Sequence, residues 1–454
     1  MRARILLVLG VVAATASLGN GQPIADTRLP EPCRVKAAED LPALEKRKQR
    51  LEREIARSKQ ADANAKVLTK TQADLLEVLF QIDCLKIRQG TTVAAPTSPP
   101  APQPGSSLET TTSRSLRSLK VDSGKRGGDV VEVTTYFATN RGKSGRSEPE
   151  SVYDASVGAL SYGRALVTIP TTHTPGSLEL PSIWRLELTP DPSKHFILKS
   201  VTPLDPVGAR AEMVKRLEAA TSKALMVFVH GYNVSFAETA MRTAQLAHDL
   251  NFPGLPFFFS WPSAAQVTGY LRDVETAQLS EDAFDKVLDD LSGLADTDIY
   301  LIAHSMGSRI VSQVLKSRVD RGKAPARLSE LLLAAPDINA DLFRTVIAPR
   351  LQAMQGTQTT VYASSSDLAL MASKAVHGYA RVGETAGGVF VFPGLETIDA
   401  SRATLSVRAF GHSYLTDSAT VLKDIQSILR QKLKARQRGL AEAGASPNVY
   451  WSLP

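Results

Sequence analysis

Only two cysteines occur in the 454 residues of this sequence, and aromatic residues make up only 6% of it. Paired histidines or a Cys-x-x-Cys at metal-ligand spacing are absent, so no metal site is predicted. A glycine-rich phosphate loop of the required form is also absent, and no cofactor is predicted. No internal window of ~18 apolar residues occurs, which excludes an internal transmembrane helix. The remaining composition, 43% hydrophobic and 22% charged, is that of an ordinary globular protein.

The net charge of +7 is distributed unevenly along the chain. Residues 1–128 contain 21 lysines and arginines against 13 acidic residues, whereas the remainder contains 32 against 33. The basic excess therefore belongs to the N-terminal arm. It is spread along a helical pattern with almost no interleaved aromatic residues, so nucleic acid is not a predicted partner.

Residues 1–21 have the pattern of a secretory signal peptide. Arg2 and Arg4 precede an apolar run over Ile5–Ala14, and the small residues Ala14-Thr15-Ala16 suit signal peptidase. The apolar run is far shorter than the ~20 residues that span a bilayer, which disfavours an uncleaved membrane anchor. We therefore expect an exported protein. We expect it in the periplasm because no outer-surface sorting motif is visible.

Residues 22–89 are predicted to form a small helical hairpin. Apolar residues recur at spacings of three and four over 41–55 and again over 75–82, on either side of a polar stretch. An exported compartment permits a disulfide between Cys33 and Cys84, which would close the hairpin. The segment carries no chemistry of its own. We expect a spacer or an oligomerisation element, and docking to an envelope partner is the alternative.

Residues 90–128 are the predicted linker to a C-terminal domain, residues 129–454. Five prolines between Pro96 and Pro104 stand among Thr, Ser and Ala, a composition that cannot bury a core. Beyond the linker, short β-rich runs alternate with amphipathic helices, which predicts an α/β fold with a doubly wound, mostly parallel sheet. The predicted strands cover Val130–Phe137, Arg164–Ile169, Ala224–Val229, Pro256–Ser260, Asp298–Ala303, Glu330–Ala335, Thr359–Ala363 and Glu396–Ala400. The predicted helices include Phe236–Leu250, Glu281–Leu294, Leu342–Met354 and Ser418–Arg436.

A serine follows the strand predicted over Asp298–Ala303. That strand runs into His304-Ser305-Met306-Gly307 and then directly into a helix, and chemistry in such sheets collects at the carboxyl ends of the strands. A serine on a sharp strand-to-helix turn exposes its hydroxyl and needs small residues two positions to either side. Ala303 and Gly307 meet that requirement, although the pattern is Ala-x-Ser-x-Gly rather than Gly-x-Ser-x-Gly. Ser305 is the predicted nucleophile.

A second strand end is expected to supply half of an oxyanion hole. A tetrahedral intermediate needs two backbone N–H donors, one from the residue after the nucleophile and one from a neighbouring loop. The first is Met306. The second is expected from Val229-His230-Gly231-Tyr232-Asn233, with Tyr232 as the predicted donor and Asn233 behind it.

The base and the acid are selected by chain order, which in this kind of sheet is serine, acid, histidine. His412, on a loop before the last helix, is the predicted base, and His377 is ranked second. His304 adjoins the serine and is assigned a supporting role. Asp367 follows the penultimate predicted strand and is the predicted acid. Asp337 is the alternative acid, or otherwise the cap of the helix Leu342–Met354 or the support of a neighbouring loop.

Several motifs together resemble a known family. The strings YFATNR, LSYGRALVTIP, VFVHGYNVSF, FSWPS, AHSMGSRIV, AAPDI, YASSSDLAL and GHSYL are similar to those of a bacterial α/β-hydrolase family known as domain of unknown function nine hundred, of the esterase/lipase type. The resemblance covers residues 129–436. It implies the α/β-hydrolase fold, with Ser305, Asp367 and His412 in the nucleophile, acid and base positions. It implies no particular substrate.

These observations predict an exported serine hydrolase that cleaves a small-molecule carboxylic ester by two-step acyl transfer. The competing hypothesis is a non-catalytic envelope protein that uses the hydrolase fold for docking. The exported arm with its long linker favours that alternative. Trp261 and Tyr270 are predicted either to line the site entrance or to belong to the core.

Overall fold

A computed structural model describes most of the C-terminal domain and part of the N-terminal arm. The described residues are 40–60, 78, 81, 126–127, 130–181, 189–266, 269–323, 325, 327–365, 367, 369–370, 373–374, 378–403 and 418–453. The chain divides into two compact units, Met1–Ser115 and Leu116–Pro454. Among the described residues, no helix combines the length and the apolar character needed to cross a membrane.

The first unit contains the helix α1, Leu41–Gln60. Its N-terminus is capped by Asp40, whose Oδ1 accepts the N–H of Ala43 at 2.9 Å. Leu44 and Leu51 are buried together with Val78, as a helix packed on a second segment requires. The rest of the predicted hairpin, the Cys33–Cys84 disulfide and the signal peptide over 1–21 lie outside the described residues.

The second unit is built on one sheet, to which twelve strands of the described residues contribute. Their order across the sheet is β11-β12-β10-β9-β8-β7-β5-β6-β2-β3-β4, and β1 pairs with β2. The strands are β1 Arg126–Gly127, β2 Val130–Lys143, β3 Tyr153–Pro170, β4 Ile197–Leu204, β5 Ala224–Val229, β6 Leu255–Ser260, β7 Asp298–His304, β8 Leu328–Ala334, β9 Gln358–Ala363, β10 Glu396–Asp399, β11 Ala441–Ala445 and β12 Asn448–Ser452.

The sheet is parallel through its centre, from β2 through β6, β5, β7, β8, β9 and β10 to β12. The antiparallel pairs β2–β3 and β3–β4 extend one side, and β11 pairs antiparallel with β12 at the other. Because β5 has β6 on one side and β7 on the other, the strand order reverses there, which creates a switch point at the carboxyl ends of β5 and β7. The predicted doubly wound, mostly parallel sheet is confirmed.

The helices of this unit are α2 Pro206–Ala219, α3 Phe236–Asp249, α4 Tyr270–Leu279, α5 Glu281–Ser292, α6 Gly307–Asp320, α7 Ala340–Leu342, α8 Ala348–Gln352 and α9 Ala419–Gln431. Ser235 caps α3 by accepting the N–H of Glu238, as its spacing predicts. The helix predicted over Leu342–Met354 is present as helical residues 340–352, but it is not a regular α-helix throughout. A π-helical turn over Phe343–Ile347 separates α7 from α8, near Pro349, which has no N–H to continue the ladder. The helix predicted to reach Arg436 ends at Gln431, because the next residue, Lys432, adopts φ 52°.

Both faces of the sheet are covered, because β5 alternates its side chains between two cores. Leu225, Val227 and Val229 face a core shared with α5 and α6. Met226 and Phe228 face a core shared with α3 and α9. Burial on both faces explains why this strand is a continuous apolar run.

Candidate active site

Ser305 lies on a sharp turn between β7 and α6. Its φ of 51° is left-handed, a conformation that non-glycine residues adopt rarely and mostly at constrained sites. The turn is fixed by backbone hydrogen bonds, because the N–H of Ser305 donates to the carbonyl of Ala334 at 2.8 Å and its carbonyl accepts the N–H of Asp337 at 3.3 Å. The sequence-predicted turn therefore forms at the predicted residue.

The small residues around Ser305 are required by close backbone approach. A Cβ added to Gly307 would lie 2.4 Å from the carbonyl oxygen of His230 and 2.7 Å from that of Val229. A Cβ added to Gly231 would lie 2.8 Å from Cβ of Ser305. The loop that follows β5 thus passes directly beside the serine.

Two backbone N–H groups of the loop after β5 already donate hydrogen bonds to side chains. The N–H of Asn233, which has φ 59°, donates to Oδ2 of Asp273 at 3.2 Å. The N–H of Val234 donates to Oγ of Ser263 at 3.1 Å, and the Ser263 hydroxyl in turn donates to Asp273. The backbone of Asn233 is therefore committed to holding the loop, so a donor role for it would require breaking this bond.

His230 supports the same loop from below. Its ring stacks on Trp261 with centroids 4.9 Å apart, and Nε2 accepts the N–H of Trp261 at 3.1 Å. Burial, together with the positive charge of Arg141, keeps the pKa of His230 well below its usual value. The ring is neutral, with Nδ1–H donating to the carbonyl of Gly231 at 2.8 Å. Both ring nitrogens of His230 therefore form hydrogen bonds that stabilise the loop.

The buried guanidinium of Arg141 lies behind the loop that follows β5. The catalytic motifs in the sequence do not identify this residue. It donates to the carbonyl of Val234 at 2.7 Å, to the carbonyl of Ser263 at 3.0 Å and to the hydroxyl of Ser260 at 2.8 Å. Burial lowers its pKa to about 9, which leaves it charged at neutral pH. The run YFATNR contains this arginine, but β2 also carries Glu132, Asn140 and Lys143, so no local pattern identifies the role of Arg141.

Asp337 is surrounded by donors. Its Oδ2 accepts the hydroxyl of Tyr270 at 2.7 Å and its Oδ1 accepts that of Ser373 at 2.6 Å. The guanidinium of Arg381 lies 3.3 Å from Oδ1, and both side chains are almost fully buried. Asn339, and not Asp337, caps the short helix α7. Asp337 therefore joins the turn after β8 to α4 and to neighbouring loops.

Asp367 is fully buried four residues after the end of β9. Its Oδ1 accepts the N–H of Leu370 at 3.0 Å. Both histidines considered as the base, His412 and His377, lie outside the described residues. The structure thus gives the surroundings of Ser305 and Asp367, and the identity of the base stays a prediction.

The structure also describes three other residues that the sequence analysis names, His304, Trp261 and Tyr270. His304 lies against the loop after β5, since a Cβ added to Gly231 would be 2.9 Å from its Nδ1. Trp261 is fully buried and belongs to the core, whereas Tyr270 is half-buried and hydrogen-bonded. In the part of the chain that the structure describes, no group of three or more His, Cys, Asp or Glu is arranged to hold a metal ion.

Three solved structures resemble the chain at low identity. A putative YdeN-like hydrolase from Pectobacterium atrosepticum is 16% identical, with 48% of this chain and 99% of that chain covered and a TM-score of 0.23. Phospholipase PlaB from Legionella pneumophila is 14% identical, with 51% and 68% covered and a TM-score of 0.23. An esterase from Rhizomucor miehei is 11% identical, with 66% and 85% covered and a TM-score of 0.25. These likenesses are too distant to carry an argument about substrate, and no curated protein matches the chain.

A family model matches residues 206–432 and is described as an alpha/beta hydrolase of unknown function, DUF900. The match starts at α2, so the motifs YFATNR and LSYGRALVTIP on β2 and β3 precede it. The doubly wound sheet, with a strained serine at its switch point, agrees with that description. The chain therefore belongs to the DUF900 family of α/β hydrolases, as its motifs predict.

Proposed function

We propose that this hydrolase cleaves carboxylic esters of small molecules, with Ser305 as the nucleophile. The observation that carries the proposal is the left-handed turn at Ser305, held against the loop of Gly231 at the switch point of the sheet. Strain of this kind is stored where function requires it. A serine that only ended a strand would not need Gly231 and Gly307 packed against it.

The oxyanion donors in this proposal are the backbone N–H groups of Met306 and Tyr232. Met306 precedes α6, a helix of 14 residues whose N-terminus favours negative charge. Tyr232 directly follows Gly231, the residue of this loop that packs against Ser305, and this position supports it as the loop donor. Preorganised donors of this type contribute about 3–4 kcal/mol each to transition-state stabilisation.

Asp367 is proposed as the acid in preference to Asp337. A triad aspartate must offer an oxygen to the histidine. The hydroxyl groups of Tyr270 and Ser373 occupy one oxygen of Asp337 each, and Arg381 neutralises its charge. Those contacts support a structural role for Asp337 and leave the acid role to Asp367.

The reaction proceeds in two steps. His412 takes the Ser305 proton as Oγ bonds to the ester carbonyl carbon, and the negative charge on the carbonyl oxygen is held by the two N–H groups. The intermediate expels the alcohol, which receives the proton from His412. A water then gives its proton to His412 and attacks the acyl carbon, and the carboxylic acid leaves as Ser305 regains its proton.

The proposed setting is the periplasm, reached through the signal peptide over 1–21. The basic arm, closed by Cys33–Cys84, is proposed as a spacer or docking element for an envelope partner. Neither feature takes part in the chemistry.

Hydrolysis of p-nitrophenyl butyrate by the full chain tests the proposal. Ser305→Ala is expected to lower the rate by at least about a thousandfold. Ser317→Ala, an exposed serine on the same helix α6, is the matched control and should leave the rate unchanged. A fluorophosphonate probe should label the native chain and not Ser305→Ala. Equal rates and equal labelling of the native chain and Ser305→Ala would favour the non-catalytic envelope protein.

A further inference from the structure

The peptide bond between Gly231 and Tyr232 carries one of the proposed oxyanion donors, the N–H of Tyr232. The carbonyl of the same peptide, which belongs to Gly231, accepts the Nδ1–H of His230 at 2.8 Å. The peptide is trans, so its N–H points in the opposite direction to its carbonyl. A hydrogen bond that fixes the carbonyl of Gly231 therefore also fixes the direction of the N–H of Tyr232.

The ring of His230 lies on the side of the loop opposite to Ser305. The ring stacks on Trp261, the first residue after β6, and its Nε2 lies 3.5 Å from Nη2 of Arg141 on β2. Ser305 follows β7, and β5 lies between β7 and β6 in the sheet. The carbonyl of Gly231, which faces the ring, is therefore directed towards β6. The N–H on the other side of this peptide is directed towards the serine.

The surroundings of His230 place its ring proton on Nδ1. The partner of Nδ1 is the carbonyl of Gly231, which accepts hydrogen bonds and cannot donate them. Nε2 accepts the N–H of Trp261 at 3.1 Å, and the neighbouring guanidinium of Arg141 offers only donors. The carbonyl of Trp261 is also 3.2 Å from Nε2, but a second ring proton would make a buried ring cationic beside a cation. The tautomer that holds Gly231 is therefore the favoured one.

Arg141 is an expensive neighbour for this ring. Its guanidinium is 2% exposed, and its acceptors are neutral oxygens, among them the carbonyls of Val234 and Ser263. Burial of a charged group costs free energy that neutral acceptors offset only in part. Costly buried groups are retained mainly at functional sites. The charge therefore supports a functional role for the loop and for the neutral ring of His230 beside it.

We propose that His230 is a positioning residue whose Nδ1–H holds the Gly231–Tyr232 peptide so that the N–H of Tyr232 faces the oxyanion formed at Ser305. This inference rests on the proposed ester hydrolysis. A rotated peptide would turn its N–H away from the serine and would remove one donor from the transition state. Substrate binding would change little, because the donor acts mainly on the charge that develops during the reaction.

Two substitutions of His230 distinguish its two ring nitrogens in the full chain. The side-chain amide of Asn can take the place of Nδ1, whereas that of Gln takes the place of Nε2. We expect His230→Gln to lower kcat for p-nitrophenyl butyrate by at least about a hundredfold, with KM within about twofold of the native value. His230→Asn should keep kcat within about tenfold. His248→Gln, a substitution of an exposed histidine on α3, is the control and should change neither constant.

Inhibitor affinities distinguish positioning from a loss of structure. A trifluoromethyl ketone forms an oxyanion on the serine, whereas butyrate does not. For His230→Gln, the inhibition constant of the ketone should rise in parallel with the fall in kcat, and that of butyrate should stay at the native value. Thermal unfolding gives the folded fraction of each variant. Equal kcat values for the Gln and Asn variants per folded molecule, or a native affinity of His230→Gln for the ketone, overturn the positioning role.

Neutron diffraction from crystals of the native full chain tests the inference without any substitution. A proton on Nδ1 that is directed at the carbonyl of Gly231 supports it. A proton on Nε2 with none on Nδ1 overturns it and leaves the chemistry of Ser305 intact. A native chain that neither hydrolyses the ester nor reacts with a fluorophosphonate overturns the proposed function itself, whichever nitrogen carries the proton.

Discussion

The hydroxyl of Tyr270 donates a hydrogen bond of 2.7 Å to Oδ2 of Asp337. This bond joins the first residue of α4 to the turn after β8, and the N–H of Asp337 donates in turn to the carbonyl of Ser305. The Tyr270 ring also packs edge-on against the Tyr232 ring, with centroids 5.3 Å apart. One side chain therefore connects the loop of the proposed oxyanion donor to the turn of the proposed nucleophile.

The different surroundings of Asp367 and Asp337 predict different effects of the same substitution. Asp367→Asn should lower kcat for p-nitrophenyl butyrate by about 10³–10⁴-fold, because the base loses its orienting carboxylate. Asp337→Asn keeps an oxygen for one of the two hydroxyl donors and should lower kcat by less than about tenfold while reducing stability. Thermal unfolding of both variants identifies any loss of folded protein. A larger kcat loss for Asp337→Asn would assign the acid to Asp337.

Tyr270→Phe is predicted to slow catalysis because it changes the position of the loop that carries the proposed oxyanion donor. The ring keeps its contact with Tyr232, but Asp337 loses a donor and α4 loses its bond to the turn after β8. We expect kcat to fall about five- to tenfold with KM unchanged, because the oxyanion loop acts in the transition state and not in substrate binding.

The control for this change is Tyr379→Phe, since Tyr379 is exposed. Inhibition by a trifluoromethyl ketone, which forms an oxyanion on the serine, should weaken in parallel with kcat for Tyr270→Phe. A rise in KM at constant kcat would contradict the positioning role.

Gly307→Ala is predicted to disrupt the serine turn. The added Cβ would meet two backbone carbonyl oxygens, at 2.4 and 2.7 Å, and backbone atoms cannot turn away as a flexible side chain does. We expect fluorophosphonate labelling to slow by at least about a hundredfold. Gly387→Ala is the control, because its added Cβ would meet only the ends of side chains, Nζ of Lys374 at 3.0 Å and Oε2 of Glu384 at 3.8 Å. Unchanged labelling of Gly307→Ala would show that the turn tolerates a displaced loop.

The sequence predicts the central sheet well and its margins poorly. Strands such as β5 are continuous apolar runs with both faces buried, so their pattern is strong. By contrast, β4 has only one buried residue, Leu198, and β11 is the mostly exposed run Ala441–Ala445. Those strands form because neighbours complete their hydrogen bonds, which local sequence does not reveal.

The candidate active site can also be predicted from the sequence only in part. Ser305 follows from a local pattern, since the strand, the turn and the small residues are adjacent in the sequence. Tyr270, Asp273 and Arg141 act on the loop after β5 from distant parts of the chain, through contacts that only the tertiary structure creates. Their roles therefore had no signature in spacing or composition.

Glu330 predicts how stability depends on pH. Its side chain is 2% exposed, and in the described part of the structure its Oε2 has no hydrogen-bond partner. Burial, with a smaller contribution from the charge of Glu396, raises its pKa from 4.5 to about 8. The folded protein therefore holds a proton that the unfolded chain releases above pH 4.5. It follows that the free energy of unfolding falls as the pH rises from about 4.5 to about 8.

Glu330→Gln removes this linkage, because the amide stays neutral at every pH. The variant should unfold at nearly the native temperature at pH 5 and at a higher temperature at pH 9, where its advantage in unfolding free energy is on the order of 3–5 kcal/mol. Glu275→Gln, an exposed residue on α4, is the control and should follow the native pH dependence. Thermal unfolding at pH 5, 7 and 9 measures all three proteins. A constant difference between Glu330→Gln and the native chain across this range would mean that Glu330 does not change its protonation between the folded and unfolded states.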